Sequence, residues 1–429
     1  MSRSSTFDLW PTPSRPPSLT SPGRIPGSNP HESAQILRQI LKENHEKWHI
    51  FFDDFPRHNH ITHHLLAIWA MGADGDIIRR VYDHDIQIPC TRFCVALLAN
   101  LSEGRYYKAY LEFFEDAIRE QTPAQVMEDY IFSYEANYGE DDNDKPEMMA
   151  RMMAGLGHGL IHLGYGAEFG LPGMFVQGLA QAAVSNWPSA PIHPPSLFQG
   201  NLEKGSQQQQ QQPGLHAFTV VSHLLADPKF ATKGETFLQM WGDALKVGDA
   251  VYELVEQWLP GTSTEIIENK IEELHWVATL LYAVSGYKRG EEFNADFVSS
   301  FGMILLWWIA LGRPELHISA FFDEPLPFTN TVKATLNGNP WLIIIQQSLI
   351  HPDDHLPKLV RALLHFSDMY GCHTAPGLDG AEKVDGTLFL RAALWTFKRL
   401  EMFEERKDSE PPEFLVYGWD FKTFREGLF

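Results

Sequence analysis

Three groups of histidines are the residues of this chain whose types and spacing could do chemistry. The first group opens a helical pattern and contains His60 and His64, four residues apart, and the second pairs His158 with His162 at the same spacing. Side chains four residues apart lie on one face of a helix. Neutral imidazoles suit iron, copper, nickel and zinc, so each pair could supply two oriented metal ligands. A single pair of this kind also arises often among ordinary buried histidines.

The third group lies near the start of another helical stretch. His355 and Lys358 are three residues apart and project together, while Asp353 or Asp354 could cap the helix that carries them. Three groups in one chain favour a metal site more strongly than any one of them does, and they predict that remote helices converge on one ion.

Other metal sites fit the sequence less well. A zincin needs Glu directly after its first His, but Gly159 follows His158. A ferritin-like di-iron site needs two Glu-x-x-His pairs and further Glu ligands. It remains the weaker alternative, and the pairs with that spacing are Glu46–His49 and Glu272–His275.

Nucleotide-binding and hydrolase motifs are missing from the sequence. The chain has no GxGxxG after a strand, no Walker loop and no GxSxG elbow. We therefore expect no self-contained flavin or dinucleotide domain. Any dependence on NADPH would have to arise without a Rossmann unit.

Composition and charge restrict the classes of molecule that this protein could bind. The chain holds 34 basic and 55 acidic residues, a net charge of −21, which disfavours nucleic acid and anionic membrane surfaces. Its longest apolar run, residues 301–311, is too short for a membrane span. Cys90, Cys94 and Cys372 form no CxxC pair and fit a reducing compartment. With no secretory signal visible, the sequence predicts a cytoplasmic protein that acts on a small molecule and has no nucleic-acid partner.

The elements that must position these residues are helices. Apolar residues recur at three-to-four spacing near 33–41, 61–71, 105–119, 122–137, 148–165, 234–258, 264–285, 296–311, 354–370 and 384–405. The run that begins at Trp341 could be a strand or a buried helix turn. We predict a mainly α protein with a disordered Pro/Ser-rich tail at 1–31, one large multi-helix domain at 32–429 and a low-complexity loop at 203–214.

The three blocks together resemble the questin oxidase-like family. The resemblance rests on Asn59-His60-x-x-His63-His64-Leu-Leu-Ala, His158-Gly-Leu-Ile-His162-Leu-Gly-Tyr-Gly and Asp354-His355-x-x-Lys358-x-x-Arg361-Ala-Leu. Members occur in fungal polyketide clusters and are linked to oxidative ring opening of anthraquinones and to Baeyer–Villiger-type steps. The resemblance implies an oxidoreductase of secondary metabolism, a monooxygenase or dioxygenase that uses O₂ and an aromatic polyketide.

The resemblance also implies a non-haem Fe(II) site. Carried over position by position, its ligands are His60, His158, His355 and Lys358. Free lysine is a poor ligand, but Lys358 carboxylated by CO₂ would be an anionic carbamate with oxygen donors, which requires a buried, deprotonated amine. Beside these ligands, we predict catalytic roles for His64, His162 and Tyr165, the last as a hydrogen-bond donor to a quinone oxygen.

One block departs from the family pattern. Phe301 stands where the family has a further His, and Ile304 stands where it has Thr. The site then works with fewer ligands, or His317 substitutes, or this copy is impaired. The alternative function is therefore a non-catalytic helical binder of aromatic metabolites.

Overall fold

The computed structural model of this protein is helical. It describes residues 7–13, 23–51, 58–87, 106–139, 145–185, 192–199, 214–234, 237–259, 263–285, 301–326, 338–371 and 378–405. In these ranges the chain forms nineteen α-helices and no sheet, and two isolated bridges join Phe51 to His58 and Ser285 to Leu316. The predicted mainly α fold is confirmed.

The first of two compact units comprises Met1–Ser189 and Ile345–Arg361. Here α9 packs on α4, α7 and α8, while α1, α2 and α3 pack on one another and α2 also contacts α8. A π-helical turn, Glu128–Phe132, lies between α5 and α6. The helices are α1 (Pro30–Lys47), α2 (Ile61–Ala70), α3 (Gly75–Asp85), α4 (Tyr107–Glu120), α5 (Pro123–Met127), α6 (Tyr134–Tyr138), α7 (Met148–Met152), α8 (Ala154–Phe169) and α9 (Pro172–Val184).

The second unit comprises Ala190–Ile344 and Ala362–Phe429, so that α17 and α18 contribute residues to both units. In the second unit α15 packs on α12 and α13, and α14 packs on α11 and α19. The remaining helices are α10 (Pro195–Phe198), α11 (Ala217–Ala226), α12 (Phe237–Lys246), α13 (Gly248–Trp258), α14 (Thr264–Val284), α15 (Phe301–Ala310), α16 (Ile318–Asp323), α17 (Pro340–Ser348), α18 (His355–Tyr370) and α19 (Thr387–Glu405).

Several helices begin where a side chain accepts a hydrogen bond from one of the first backbone N–H groups. Before α1, the side chain of Asn29 accepts a hydrogen bond from the N–H of Glu32, and Pro30 occupies the first turn. All ten residues of α2 are buried. A helix that is apolar nearly all round belongs in an interior, and α2 therefore takes His63 and His64 into the core of the first unit.

Two glycines let α8 and α9 approach closely. A Cβ added to Gly178 would lie 2.8 Å from the carbonyl oxygen of Gly159 and 3.1 Å from Cβ of His162. A larger residue would push the two helices apart, so these glycines fix the position of the α8 segment that carries His158 and His162.

A buried ion pair links the N-terminal half of α14 to the residues that precede α11. Nζ of Lys270 lies 2.8 Å from Oε1 of Glu273 and donates to the carbonyl oxygen of Leu215 at 2.9 Å. Glu273 also accepts from Nε1 of Trp258 and from the N–H of Ala217. Because its polar atoms are paired, this network can be buried in the second unit.

Parts of the predicted tail contact the first unit. Trp10 is 3% exposed, and its carbonyl oxygen accepts from Nε of Arg38. The N–H of Gly173 donates to the carbonyl oxygen of Leu9, and Arg24 lies over the ring of Trp69. These contacts hold residues 7–13 and 23–29 against helices.

Other predictions concern residues outside the described ranges. They include the three cysteines and nearly all of the loop at 203–214. Within the described part of the chain, no helix is both long and apolar enough to cross a membrane.

Candidate metal centre

Side chains from three separate segments of the first unit meet in one place. His60 directly precedes α2, His158 lies on α8, and His355 is the first residue of α18. Nε2 of His60 and Nε2 of His158 are 2.6 Å apart, with their rings stacked at 4.7 Å. The ring of His355 stands perpendicular to that of His60, with centroids 4.8 Å apart. The structure thus brings together the three imidazoles that the sequence predicted as ligands.

Two more donors complete the cluster. One donor atom from each of His60, His63 and His158 lies within 4.8 Å of the others, and the same holds for His60, Asp354 and His355. His60 belongs to both sets, so these are two halves of one cluster. We call these five residues the histidine cluster. His63 and Asp354 were not among the ligands predicted from the sequence.

Carboxylates orient two of the imidazoles. Nδ1 of His60 lies 2.7 Å from Oδ2 of Asp354. Nδ1 of His355 lies 2.9 Å from Oδ1 of Asp353, which also accepts from the backbone N–H of His355 at 3.0 Å. A carboxylate beside Nδ1 holds the ring proton there and leaves the lone pair of Nε2 for a metal.

Burial favours the neutral form of the buried histidines His58, His60 and His63. Burial lowers the pKa of His60, against the attraction of Asp354. Burial, with a smaller contribution from the charge of Lys358, lowers the pKa of His63 well below its usual value. His58, stacked on His158 at 4.2 Å, has its pKa lowered to about 3 by burial. Neutral imidazole is the form that binds metals.

Asp354 is held in the charged form. Burial alone would raise its pKa, yet that pKa lies well below the usual value. The opposing causes are its electrostatic interactions with His355, His60 and Lys358 and its hydrogen bond with His60. Nζ of Lys358 lies 3.1 Å from Oδ2 of Asp354 and 3.3 Å from Nδ1 of His63. The predicted fourth ligand therefore sits directly beside the cluster.

His162 and Tyr165 also lie close to the cluster. His162 donates through Nδ1 to the carbonyl oxygen of His158 at 3.0 Å, and its Nε2 is 3.3 Å from Oγ1 of Thr62. Burial lowers the pKa of His162 to about 4. The ring of Tyr165 lies 6.2 Å from that of His63.

His64 points elsewhere. Its Nδ1 lies 2.8 Å from Oδ2 of Asp85, at the wall of a groove of about 200 Å³ between α2, α3 and the segment around Pro352. That volume is below the range of about 300–1,000 Å³ usual for small-molecule sites, so the groove is too small for a whole tricyclic substrate.

The residues of the cluster fit a non-haem iron ion. Nε2 of His63 is buried without a hydrogen-bond partner, and a metal bond would satisfy it. Imidazoles with one carboxylate are a donor set that iron accepts. Two nitrogens on one ion, with bonds of about 2.1 Å, are about 3.0–3.4 Å apart. The rings of His60 and His158 would therefore separate slightly from their 2.6 Å approach.

Comparison with known proteins places the chain in a family. The family model described as Questin oxidase-like matches residues 57–302 and 298–363. The chain belongs to the questin oxidase-like family. The family match covers the whole histidine cluster, and its two stretches meet at the block that contains Phe301.

Named relatives of the family are fungal oxidases. The chain is 28% identical to the Baeyer-Villiger oxidase ptaJ of Pestalotiopsis fici over 78% of this chain and 81% of that protein. It is 24% identical to the Baeyer-Villiger oxidase mdpL of Emericella nidulans over 86% and 89% of the two chains. It is 23% identical to the oxidoreductase AflY of Aspergillus parasiticus over 88% and 81%. The predicted family and oxidoreductase class are confirmed.

Phe301 and Ile304, which stand where the family has His and Thr, and His317, the predicted substitute, lie in the second unit. Phe301 begins α15, and its side chain is outside the described part of the structure. Ile304 is 1% exposed, and Nε2 of His317 is 3.4 Å from Glu315. Of the two di-iron pairs, His49 is in the first unit and His275 in the second, and neither joins a metal-ligand group among the described residues.

Proposed function

We propose that this chain is a non-haem iron oxygenase that opens a ring of an aromatic, anthraquinone-like polyketide in fungal secondary metabolism. The observation that supports the proposal is that four imidazoles and one carboxylate form two overlapping groups of three. In each group the possible ligand atoms lie within 4.8 Å of one another, and His60 belongs to both. The names of the fungal relatives supply the reaction class.

The ligands would be His60, His63, His158 and His355, with one anionic oxygen donor. Because Oδ2 of Asp354 faces Nδ1 of His60, Asp354 would supply that oxygen only by turning toward the ion, and Lys358 would supply it only as a carbamate. When bound, iron provides the one-electron chemistry that O₂ needs to react with a closed-shell aromatic.

The other residues of the site orient the metal ligands and position the substrate. Asp353 and Asp354 hold the ring protons of two ligands away from the ion. Hydrogen bonds hold the imidazole of His162 to the backbone of α8 and to Thr62, and burial lowers its pKa to about 4, so it is neutral beside the ligands. Tyr165 can present its hydroxyl to a quinone oxygen, and the guanidinium of Arg361 lies over its ring, 5.8 Å from the centroid. His64, held by Asp85, is a support of α2 in this scheme.

The test is elemental analysis of protein purified without chelator, followed by O₂ uptake with a hydroxylated anthraquinone, with and without NADPH. Iron near one equivalent that is lost in His63→Ala, together with substrate-dependent O₂ uptake, supports the proposal. His45→Ala is the matched control, because His45 is a histidine of the same unit that pairs with Glu115 and Gln177 outside the cluster. Zinc alone, or iron retained in His63→Ala, contradicts the proposal.

A non-catalytic binder of aromatic metabolites is the second candidate, and Phe301 is the observation that favours it. If the chain binds a hydroxylated anthraquinone but neither iron nor O₂ chemistry is found, this candidate replaces the first. Iron binding or turnover gained in Phe301→His would show that the fold is intact and only the ligand set is incomplete.

A further inference from the structure

Arg361 is a buried arginine with one hydrogen-bond donor left over. Its side chain is 7% exposed, and its two terminal nitrogens donate to the two carboxylate oxygens of Glu168, with Nη1 3.1 Å from Oε2. Nε of the same guanidinium is buried and has no hydrogen-bond partner among the described residues. Buried donors are nearly always paired in native proteins, so this N–H needs an acceptor that the described part of the chain does not supply.

This donor lies near the histidine cluster, next to two aromatic rings. Cζ of Arg361 is 5.8 Å from the ring centroid of Tyr165 and 5.2 Å from that of Phe169, and the two rings stack with their centroids 5.9 Å apart. The ring of Tyr165 is in turn 6.2 Å from the ring of His63, a member of the cluster. A flat aromatic molecule beside Tyr165 is therefore within reach of both the guanidinium and the cluster.

The face of α8 that carries Tyr165 is open to a ligand. Ile161 and Tyr165 are half-buried, and Gly164 is exposed. They lie on the same face of the helix as Glu168. Apart from its chain neighbours and its own helix backbone, a Cβ added to Gly164 would meet no atom within 4 Å. There is thus open space directly beside Tyr165.

The charges of the ion pair restrict the acceptor that this donor can bind. Glu168 neutralises the guanidinium of Arg361, so the pair has no net charge and offers a single free N–H. A carboxylate or phosphate binds arginine best through two parallel hydrogen bonds, and here it would also meet the negative charge of Glu168. A neutral carbonyl oxygen needs only one donor and meets no such repulsion. The hydroxyl of Tyr165 can donate to the same oxygen.

We propose that Nε–H of Arg361 and the hydroxyl of Tyr165 together bind a carbonyl oxygen of a quinone-type substrate and so orient its rings beside the histidine cluster. This role rests on the proposed function and deepens it, because it defines the substrate as a molecule with a neutral quinone carbonyl. Arg361 is then a positioning residue, and the α8–α18 ion pair holds its donor in place.

Anaerobic titration of the full chain with two matched ligands tests this role. One ligand is a monohydroxylated anthraquinone, and the other is the corresponding hydroxyanthracene, which has the same rings and hydroxyl but no carbonyl group. Arg361→Lys keeps a positive charge for Glu168 and loses Nε–H. It should bind the quinone about tenfold more weakly than the wild type and the hydroxyanthracene equally well, because only the quinone uses the lost bond. Tyr165→Phe keeps the ring and should show the same selective loss.

Arg38 provides a matched control in the same unit. It also pairs with a carboxylate, that of Asp8, but its Nε donates to the carbonyl oxygen of Trp10. Arg38→Lys should therefore leave the affinity for both ligands unchanged. Raman spectroscopy supplies a second measure, because loss of a hydrogen bond should raise the carbonyl stretching frequency of the quinone bound to Arg361→Lys. Circular dichroism checks folding, and Arg361→Gln, whose amide can donate to Glu168, replaces Arg361→Lys if that variant does not fold.

The outcomes separate this role from the proposed function. A loss confined to the quinone in Arg361→Lys and Tyr165→Phe supports the inference. Equal losses for the two ligands, or no loss for the quinone, mean that Arg361 only supports the fold, and they overturn the inference. A wild type that binds neither ligand also overturns it. Iron content and substrate-dependent O₂ uptake judge the proposed function separately, and iron that is lost in His63→Ala together with wild-type O₂ uptake would leave it standing.

Discussion

Asp353 offers the sharpest test of how the histidine cluster is oriented. Its Oδ1 accepts two hydrogen bonds from His355, one from Nδ1 at 2.9 Å and one from the backbone N–H at 3.0 Å. The side chains of Asp353 and His355 are 10% and 18% exposed, so water screens the pair weakly. We therefore expect Asp353 to decide which nitrogen of His355 carries the proton.

Two substitutions of Asp353 should weaken metal binding to different extents. Loss of a partner outside the ligand set typically weakens metal affinity by about 10- to 100-fold, or about 1.4–2.7 kcal/mol. Asp353→Asn keeps an oxygen that can accept one bond but loses the charge, so we expect the lower end, about tenfold. Asp353→Ala removes both bonds, and we expect the upper end, about 100-fold.

Anaerobic Fe(II) titration measures the affinities. Asp385→Ala is the control, because Asp385 makes the equivalent pair of bonds to the N–H and hydroxyl of Thr387 at the start of α19 in the second unit. That variant should lose some stability and keep its Fe(II) affinity. Unchanged affinity in Asp353→Ala would refute the orientation argument, even if the protein binds iron.

Three further predictions concern stability and are read from urea unfolding. Gly178→Ala should cost about 1–3 kcal/mol, because its Cβ would meet the Gly159 carbonyl at 2.8 Å, while Gly242→Ala in α12 has open space and should stabilise by about 0.5–1 kcal/mol. An equal effect of the two would contradict the close-packing argument. Trp10→Ala should cost about 3–5 kcal/mol if the segment is part of the fold, and a change under about 1 kcal/mol would contradict this. Burial lowers the pKa of His275 to about 3, below its unfolded value of 6.5, so this histidine contributes stability that is complete above about pH 6.5 and is lost as the pH falls toward 3. Between about pH 7 and pH 5 the wild type should lose about 2 kcal/mol more than His275→Gln, and parallel pH profiles would refute the assignment.

Helices with one apolar face were predictable from the sequence, and helices without such a face were not. The repeat at 264–285 matched α14, Thr264–Val284. In contrast, α9 (Pro172–Val184) was missed because nearly all its residues are buried and small residues interrupt the pattern. The stretch 234–258 is two helices that break at Val247, since periodicity alone does not reveal a bend. The run at Trp341 is helix α17.

The sequence predicted which histidines within each of the three blocks could be ligands, but it did not predict how side chains from different blocks are arranged. The blocks supplied His60, His158 and His355, which the structure brings together. His60 is the N-cap of α2 and already has helical backbone angles, and its carbonyl oxygen accepts from the N–H of His64. Of the two later histidines, His63 joins His60 in the cluster, whereas the ring of His64 pairs with Asp85. No spacing within a block could show this.

The placement of the cluster depends on the register between α8 and α18. In the first unit the guanidinium of Arg361 pairs with both carboxylate oxygens of Glu168, and this pair is buried beside the rings of Tyr165 and Phe169. The bidentate geometry fixes how far along α8 the first turns of α18 can lie. His355 and Lys358 precede Arg361 on α18, and His158 precedes Glu168 on α8. A shift of one helical turn, about 5.4 Å, would carry His355 out of contact with His60 and leave a buried charge unpaired. The Arg361–Glu168 ion pair and the Gly159–Gly178 contact therefore both constrain the position of α8, and with it the position of His158 in the cluster.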